Sequence, residues 1–501
     1  MSIYGEFFTK FMAPFFEGLM DIVKSFFGGL GQMFNVLNYI EVIGDYKEHL
    51  KGVGLVIAIF SVIFLIAIFA LIAFLIVRAV RVYLRYRRNV RREDLLIEEI
   101  ETLNNDIIKL KQQNAKIAEL TNEKGEIEYD ENGNIINELK EGESRFFKLT
   151  NVDKRFEEYT PEEITNSFDL NSFCETFRNY SASKLGLYYD INLIRLFIAS
   201  LASNKLIILE GISGTGKTSL AYAFGSFIQN ETTVASVQPS WRDSTEIFGY
   251  FNEFTKKFNE TEILTSMYEA QYSDEVYVTL LDEMNISRVE YYFAEMLSVL
   301  ELPNKKDWVV ELVPNSWPDD PKRLEEGKLK VPENMWYIGT INNDDSTFMI
   351  TDKVYDRAMP IAIDDKCEEF DAPQTEGIKV SYQYLQGLFD KSAETNAVSE
   401  DNLRKIAEMD RYVIDHFRLA FGNRIVKQLK DFVPAYVACG GEEIAGIDYL
   451  IAHKILRKFE QLNLAYIKDE IDGFIAFLED LFGKDKTPEC KTYLLRLKKT
   501  I

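Results

Sequence analysis

A glycine-rich turn followed by a lysine and a threonine is the most chemically informative stretch of this chain. Residues 206–219 form an apolar run, then the pattern Gly-x4-Gly-Lys-Thr, then a helix-forming sequence. Glycines let backbone N–H groups approach phosphate oxygens, the lysine reaches the terminal phosphates, and the next hydroxyl binds magnesium. The pattern therefore predicts a nucleotide site. Its candidate residues are Gly211, Ser213, Gly214, Thr215, Gly216, Lys217, Thr218 and Ser219.

An acidic pair ends the next strongly apolar run. Residues 276–281 are uncharged, and Asp282 and Glu283 follow them directly. Open parallel sheets place their chemistry at the carboxyl ends of strands. We therefore expect Asp282 to support magnesium and Glu283 to polarise the attacking water. Taken alone, such a pair is usually only solvated, so the phosphate loop upstream decides the interpretation.

Two polar residues further along the chain are candidate catalytic residues because of their position after these motifs. Asn342 ends the apolar run 335–341, where an amide can hold the lytic water near the terminal phosphate; a turn or cap is the alternative. Arg357 follows an aspartate soon afterwards. A lone arginine of this kind is more often a surface ion pair, but its place after the other motifs favours an arginine finger for a neighbouring subunit's nucleotide.

The order of these motifs resembles the AAA+ ATPases of the McrB type, named for the GTP-hydrolysing subunit of the methylcytosine-dependent restriction system. The similarity spans roughly residues 147–459. It is carried by the phosphate loop, by residues 237–251, by residues 281–295 with their Asp-Glu-Met-Asn step, and by residues 339–345. A mild departure is Ile341 where the family has methionine before the sensor asparagine.

The resemblance implies a fold, cofactors and an assembly. The fold would be an α/β AAA+ phosphate-loop domain with a parallel sheet and a helical C-terminal lid. The cofactors would be ATP or GTP with Mg²⁺, and the phosphate loop does not distinguish the bases. The assembly would be a homo-oligomeric ring, a hexamer. By resemblance Asn342 is the sensor asparagine, Asp345 its acidic partner and Arg357 the finger.

The C-terminal part, from about residue 401, is a run of amphipathic helices, as the lid of the family would be. Arg424, in the sequence Phe421-Gly-Asn-Arg424, is an even choice between a second sensor on the nucleotide and a surface or capping arginine. Lys454 and Arg457 are predicted to lie on a solvated helix face. The DNA-reading domain of the restriction protein has no counterpart here, and the chain carries no nuclease motif cluster.

An uncharged apolar stretch, residues 53–77, is long enough to cross a bilayer as a helix. Seven arginines follow it, and the positive-inside rule then places the amino terminus outside and the AAA+ part in the cytoplasm. We therefore expect a single-pass protein of the cell membrane. Anionic lipid headgroups are the favoured partner of the arginines, with nucleic acid as the alternative. The arginines are Arg78, Arg81, Arg85, Arg87, Arg88, Arg91 and Arg92.

Weaker patterns set the remaining boundaries. The amino-terminal segment has apolar residues at helical spacing, which suits the membrane interface or packing between protomers. Leucines and isoleucines seven apart over residues 96–117 predict a coiled-coil stalk or, nearly as well, a lone amphipathic helix. Asn132-Gly133 predicts a β-hairpin. The predicted segments are 1–52 (amphipathic), 53–77 (transmembrane), 78–121 (basic juxtamembrane and stalk), 122–145 (hairpin linker), 146–370 (α/β domain) and 371–501 (lid).

Charge and cysteine usage restrict the function. A formal net charge of −23 argues against direct binding of duplex DNA, because such binding depends on neutralising phosphates. Four dispersed cysteines predict reduced structural thiols. The leading hypothesis is a membrane-anchored ring motor that remodels a cytoplasmic partner. The second is an anti-phage motor with a separate McrC-like nuclease, and the third is a nucleotide-switched membrane scaffold that rarely hydrolyses.

Overall fold

A computed structural model describes residues 142–158, 164–253, 255–342, 347–364, 366–462 and 464–499, with the strand residues 128–129 and 135–136 and a few single positions before them. The chain divides into two units, Met1–Glu126 and Ile127–Ile501. The predicted span 53–77 and stalk lie outside the described residues. Among the residues that are described, no helix has both the length and the apolar character needed to cross a bilayer.

Helices and strands alternate in the second unit. The strands are β1 Glu128–Tyr129, β2 Ile135–Ile136, β3 Leu206–Gly211, β4 Thr233–Ser236, β5 Gly249–Asn252, β6 Lys257–Glu260, β7 Tyr277–Asp282, β8 Val309–Glu311, β9 Leu324–Glu325, β10 Lys328–Lys330, β11 Met335–Asn342 and β12 Ala358–Ala362. The helices are α1 Phe147–Glu158, α2 Leu170–Leu185, α3 Ile191–Ser203, α4 Lys217–Phe227, α5 Thr245–Phe248, α6 Glu262–Glu269, α7 Val289–Tyr292, α8 Ala294–Val299, α9 Asp352–Tyr355, α10 Tyr382–Thr395, α11 Glu400–Phe417, α12 Asn423–Ala438, α13 Glu443–Leu450, α14 Leu464–Phe482 and α15 Pro488–Lys499.

A five-stranded parallel sheet in the order β12-β3-β11-β7-β4 forms the centre of this unit. Its middle strands are continuous apolar runs, because a parallel sheet is covered on both faces. Successive residues of a strand face opposite sides. Accordingly Ile207 and Leu209 belong to one hydrophobic core, and Leu206 and Ile208 belong to the other. The strand carrying the phosphate loop is thereby held between two cores.

The C-terminal helices α10 to α15 lie in the segment where the sequence predicts a lid, and we call this segment the lid. They share the first core with the sheet, through residues such as Leu385, Phe432 and Leu450. Between α13 and α14 the chain passes through a π-helical stretch, Ile451–Ile455, and a 3₁₀ stretch, Leu456–Gln461. The α/β architecture with a parallel sheet and C-terminal helices therefore agrees with the predicted fold class.

Short antiparallel pairings lie outside the central sheet. β1 pairs with β2, with Glu128 opposite Ile136, in the segment where the sequence predicted a hairpin. β5 pairs with β6, and β8, β10 and β9 form a small sheet of three strands. All four cysteines are free, and three of them are buried.

Candidate functional site: the phosphate loop and its neighbours

The phosphate loop joins strand β3 of the central sheet to helix α4. Gly211 has φ +144°, and a Cβ there would lie 2.3 Å from the carbonyl oxygen of Ile363. Gly216 precedes the first residue of α4 with φ +95°. Only glycine takes both positions without strain. The loop therefore presents its N–H groups at the amino end of a helix, where anions are favoured.

Lys217 is the only charged side chain inside the loop. Its Nζ donates to the carbonyl oxygens of Gly211 at 3.0 Å and Ile212 at 2.8 Å, and the residue is 6% exposed. Burial lowers the pKa of Lys217, while the carboxylates of Asp282 and Asp364 act in the opposite direction. The ammonium group is thus held within the turn that the phosphates would enter.

Asp282 lies at the end of β7 and bonds to the phosphate-loop helix. Its Oδ1 accepts hydrogen bonds from Thr218 Oγ1 at 2.8 Å and from Thr340 Oγ1 at 2.7 Å. Thr340 is on β11, the strand between β3 and β7. Hydroxyl and carboxylate oxygens are the hard ligands that Mg²⁺ prefers, with water completing the shell. Thr218 and Asp282 therefore fit the predicted magnesium site.

Glu283 stands exposed just beyond the strand end. Its backbone is left-handed, with φ +53°, and its N–H donates to Thr340 Oγ1 at 2.8 Å. A non-glycine residue in this conformation is uncommon and marks a position that its surroundings hold in place. The backbone is therefore fixed while the carboxylate remains accessible to water.

Asn342 ends β11 directly beside the loop strand. In the strand register it is paired with Gly211. Asn285, which is 4% exposed, donates through Nδ2 to the carbonyl oxygens of Asn342 at 3.0 Å and Phe348 at 3.2 Å. Asn285 thus ties the acidic turn to the segment after β11. The predicted acidic partner Asp345 lies outside the described residues.

Arg357 and Arg424 form a separate cluster around one carboxylate. Arg357 Nε donates to Glu301 Oε2 at 2.6 Å, and Arg424 forms an ion pair with the other oxygen of Glu301. Neither arginine lines the cavity beside the phosphate loop. The structure therefore places Arg424 beside Arg357, and a role for Arg424 as the second sensor stays a prediction. Helix α12 lies next to the turn after α9, because Gln428 of α12 donates to the carbonyl oxygen of Asp356.

A cavity of about 1060 Å³ opens beside the phosphate loop. Gly214, Thr215, Gly216 and Ser219 line one side of it. Its other walls include Tyr189 ahead of α3 and, from the lid, His453, Tyr493 and Arg496. Sequence reasoning missed these wall residues, because nothing in their local pattern separates them from ordinary helix positions. The volume and the loop together suit a nucleoside triphosphate.

Two lid residues contradict the predicted solvated face. Lys454 is 4% exposed, and Arg457 Nη1 donates at 2.9 Å to Glu210, the residue before the first loop glycine. Arg457 also lies over the ring of Tyr355, with 3.3 Å between the guanidinium carbon and the ring centre. The prediction was wrong because both side chains bond to groups of other segments, Lys454 to two backbone carbonyl oxygens and Arg457 to the Glu210 carboxylate.

Comparison with known proteins adds little. No protein-family model and no curated protein matches the chain. Among solved structures it is similar to a protein from Cytophaga hutchinsonii described as a "putative ATPase", at 13% identity and a TM-score of 0.35, over 59% of this chain and 83% of that one. So loose a superposition carries no argument. The sheet, the loop and the paired Thr218 and Asp282 themselves define an α/β protein of the phosphate-loop class.

Proposed function

We propose that this chain is a magnesium-dependent nucleoside-triphosphatase of the AAA+ class. One observation carries the proposal. The hydroxyl of Thr218, directly after the loop lysine, bonds at 2.8 Å to the carboxylate of Asp282, and an exposed carboxylate follows at Glu283. A loop that binds phosphates, a magnesium ligand pair and a candidate base therefore occupy one edge of the sheet.

Different groups of the chain bind the phosphates, hold the ion and activate the water. The loop N–H groups and Lys217 bind the β- and γ-phosphates, and Thr218 with Asp282 hold the ion. Bound magnesium would neutralise charge that develops on the phosphates. Glu283 polarises the attacking water, and Asn342, fixed beside Gly211, orients that water. Because every one of these contacts is made to phosphate or water, ATP and GTP are both substrates that fit.

Hydrolysis is proposed to need a second copy of the chain. Arg357 does not line the cavity of its own protomer and pairs there with Glu301. A guanidinium in that position can serve a neighbouring subunit's triphosphate once a ring forms. The resemblance to McrB-type proteins supports a hexamer. This ring would be tethered by residues 53–77 with the AAA+ part in the cytoplasm, where it remodels a protein partner; a McrC-like nuclease is one candidate.

The test compares full-length variants in a nucleotide-hydrolysis assay. Glu283→Gln is expected to lower kcat by at least about 10²-fold, the usual contribution of a positioned base, while nucleotide still binds. Lys217→Ala is expected to abolish binding. Glu290→Gln, the same substitution on the nearby helix α7, is the matched control and should leave turnover unchanged. Equal turnover of Glu283→Gln and wild type would remove the catalytic assignment.

Single-turnover kinetics separates this motor from the scaffold hypothesis. A motor releases phosphate at a rate that a ring partner or substrate accelerates. A slow chemical step that no partner accelerates would favour the scaffold instead.

A further inference from the structure

The turn that presents Arg357 is fastened by a lysine of the lid. Lys454 Nζ donates to the carbonyl oxygens of Tyr355 and Ala358, both at 2.6 Å. These two carbonyl groups flank Arg357 on either side. Lys454 is buried, so water does not compete for the contacts. One lysine side chain therefore closes the turn from which the Arg357 side chain projects.

The carbonyl groups of Asp356 and Arg357, which lie between those of Tyr355 and Ala358, also accept hydrogen bonds from side chains of other segments. Gln428 Nε2 donates to the carbonyl of Asp356 at 3.1 Å, and Asn204 Nδ2 donates to that of Arg357 at 3.0 Å. The carboxylate of Asp356 pairs with Lys458 at 2.9 Å. Four successive carbonyl groups are thus bonded to side chains, three of them to the lid. An ordinary surface turn leaves such groups to water.

The same lid segment borders the nucleotide cavity. His453, the residue before Lys454, lines that cavity and stacks on Tyr449 with 4.3 Å between ring centres. The hydroxyl of Tyr449 accepts a hydrogen bond from the N–H of Ala362, at the end of β12, at 3.0 Å. The segment is π-helical, a rare form that occurs mostly as single turns and frequently at functional sites. Neighbouring residues of one turn therefore contact the cavity and the Arg357 turn.

We propose that Lys454 is a positioning residue for Arg357, holding the turn so that the guanidinium reaches the triphosphate bound to the adjoining subunit. The inference rests on the proposed function, because it presupposes that Arg357 acts between subunits. A purely structural lysine would contribute to folding and leave the presentation of Arg357 unchanged. The two roles are separated by asking which subunit of a ring must carry Lys454.

The experiment uses mixed rings of co-expressed full-length chains. An Arg357→Ala subunit keeps its own cleavage site but presents no finger. A Glu283→Gln subunit keeps the finger but does not cleave. Mixing the two is expected to restore turnover at Arg357→Ala sites that border a Glu283→Gln neighbour. Lys454→Met is then introduced into one chain or the other.

On the Glu283→Gln subunit, Lys454→Met is expected to lower the restored kcat at least about tenfold, with KM unchanged; the finger as a whole supplies about 10³-fold or more. On the Arg357→Ala subunit, the same change should alter turnover by less than about twofold, because no finger is presented there. Equal losses on both subunits, or no loss on either, would overturn the proposal.

Two further variants keep the result interpretable. Lys205→Met is the control: Lys205 is a half-buried lysine just before β3 that donates to a backbone carbonyl outside the Arg357 turn, that of Glu333 at 2.5 Å. It should leave the restored turnover unchanged. If Lys454→Met fails to fold by thermal melting, Gln428→Leu replaces it, with the same expected asymmetry between subunits.

Failure of the underlying function gives a different result. If Arg357→Ala and Glu283→Gln chains restore no turnover before Lys454 is changed, Arg357 does not act between subunits, and this inference is overturned with it. If turnover is restored but Lys454→Met shows no asymmetry, the inference alone is overturned.

Discussion

Glu210 and Arg457 join the strand that carries the phosphate loop to the C-terminal lid. Arg457 Nη1 donates to Glu210 Oε2 at 2.9 Å, and their side chains are 21% and 10% exposed. Tyr355 donates to the same carboxylate oxygen at 3.1 Å. Because Glu210 directly precedes Gly211, this ion pair links that part of the lid to the first residue of the loop.

Arg457→Met is expected to destabilise the protein by on the order of 3 kcal/mol, because it leaves the Glu210 carboxylate buried without its cation. The Glu210→Gln, Arg457→Met double variant should lose less than the sum of the single losses. Urea unfolding of all three variants measures this. Lys148→Met, which breaks the exposed pair with Glu262, is the control and should cost less than about 1 kcal/mol. Additive losses would contradict the coupling.

Thr340→Val is expected to lower kcat roughly tenfold or more and to raise the Mg²⁺ concentration needed for half-maximal rate. The change keeps the side-chain shape but removes the hydroxyl that donates to Asp282 and accepts from the N–H of Glu283. Steady-state kinetics over a Mg²⁺ series measures both effects. Thr279→Val is the matched control: Thr279 is fully buried on β7, and its hydroxyl donates a weak hydrogen bond to the sulfur of Met335 at 3.6 Å. A similar loss in both variants would argue against a specific role for Thr340.

Gly211→Ala is expected to abolish nucleotide binding or to prevent folding, because the new Cβ would lie 2.3 Å from the backbone oxygen of Ile363 and φ is +144°. Gly387→Ala provides the comparison. Gly387 lies in helix α10 with nothing within 4 Å of its Cβ position, so alanine should be neutral or stabilise by up to about 1 kcal/mol. Nucleotide affinity and thermal melting of both variants decide the point. Wild-type affinity of Gly211→Ala would refute the close approach.

Lys454 predicts a pH dependence of stability. Burial lowers the pKa of Lys454 to about 7, and the Asp356 carboxylate opposes this only in part. Between pH 7 and the ordinary lysine pKa of 10.5, the unfolded chain therefore binds the proton more tightly than the folded one. The free-energy cost of burying the charged form of Lys454 is fully present below pH 7. It is lost as the pH rises from 7 towards 10.5.

The free energy of unfolding of the wild type, relative to Lys454→Met, should accordingly increase with pH. The expected slope is about 1 kcal/mol per pH unit between pH 7 and pH 9. Other titrating groups are common to both proteins and cancel in the difference. Urea unfolding at several pH values provides the measurement, and a difference that stays constant would show that Lys454 remains charged when folded.

Local sequence determined the parts of the site that lie at strand ends. Each group of site residues directly follows an apolar run: the loop glycines with Lys217 follow one, and the Asp282-Glu283 pair follows another. A parallel sheet brings the carboxyl ends of its strands to one edge. The central strands were likewise evident as continuous apolar runs and the C-terminal helices from their amphipathic spacing, because the apolar pattern of an element depends on its own geometry.

Tertiary packing decided the rest. The sequence predicted a solvated face for Lys454 and Arg457. Contacts with backbone carbonyl groups of another segment bury Lys454, and the ion pair with Glu210 half-buries Arg457. Arg424 forms an ion pair with Glu301, and His453 and Arg496 line the cavity. Both arrangements depend on contacts between residues far apart in the chain. A backbone carbonyl group is the same in every residue, so the sequence does not show which one a side chain will contact. The apolar pattern of one helix likewise does not show which element it packs against. Such positions are therefore settled only when the elements pack together.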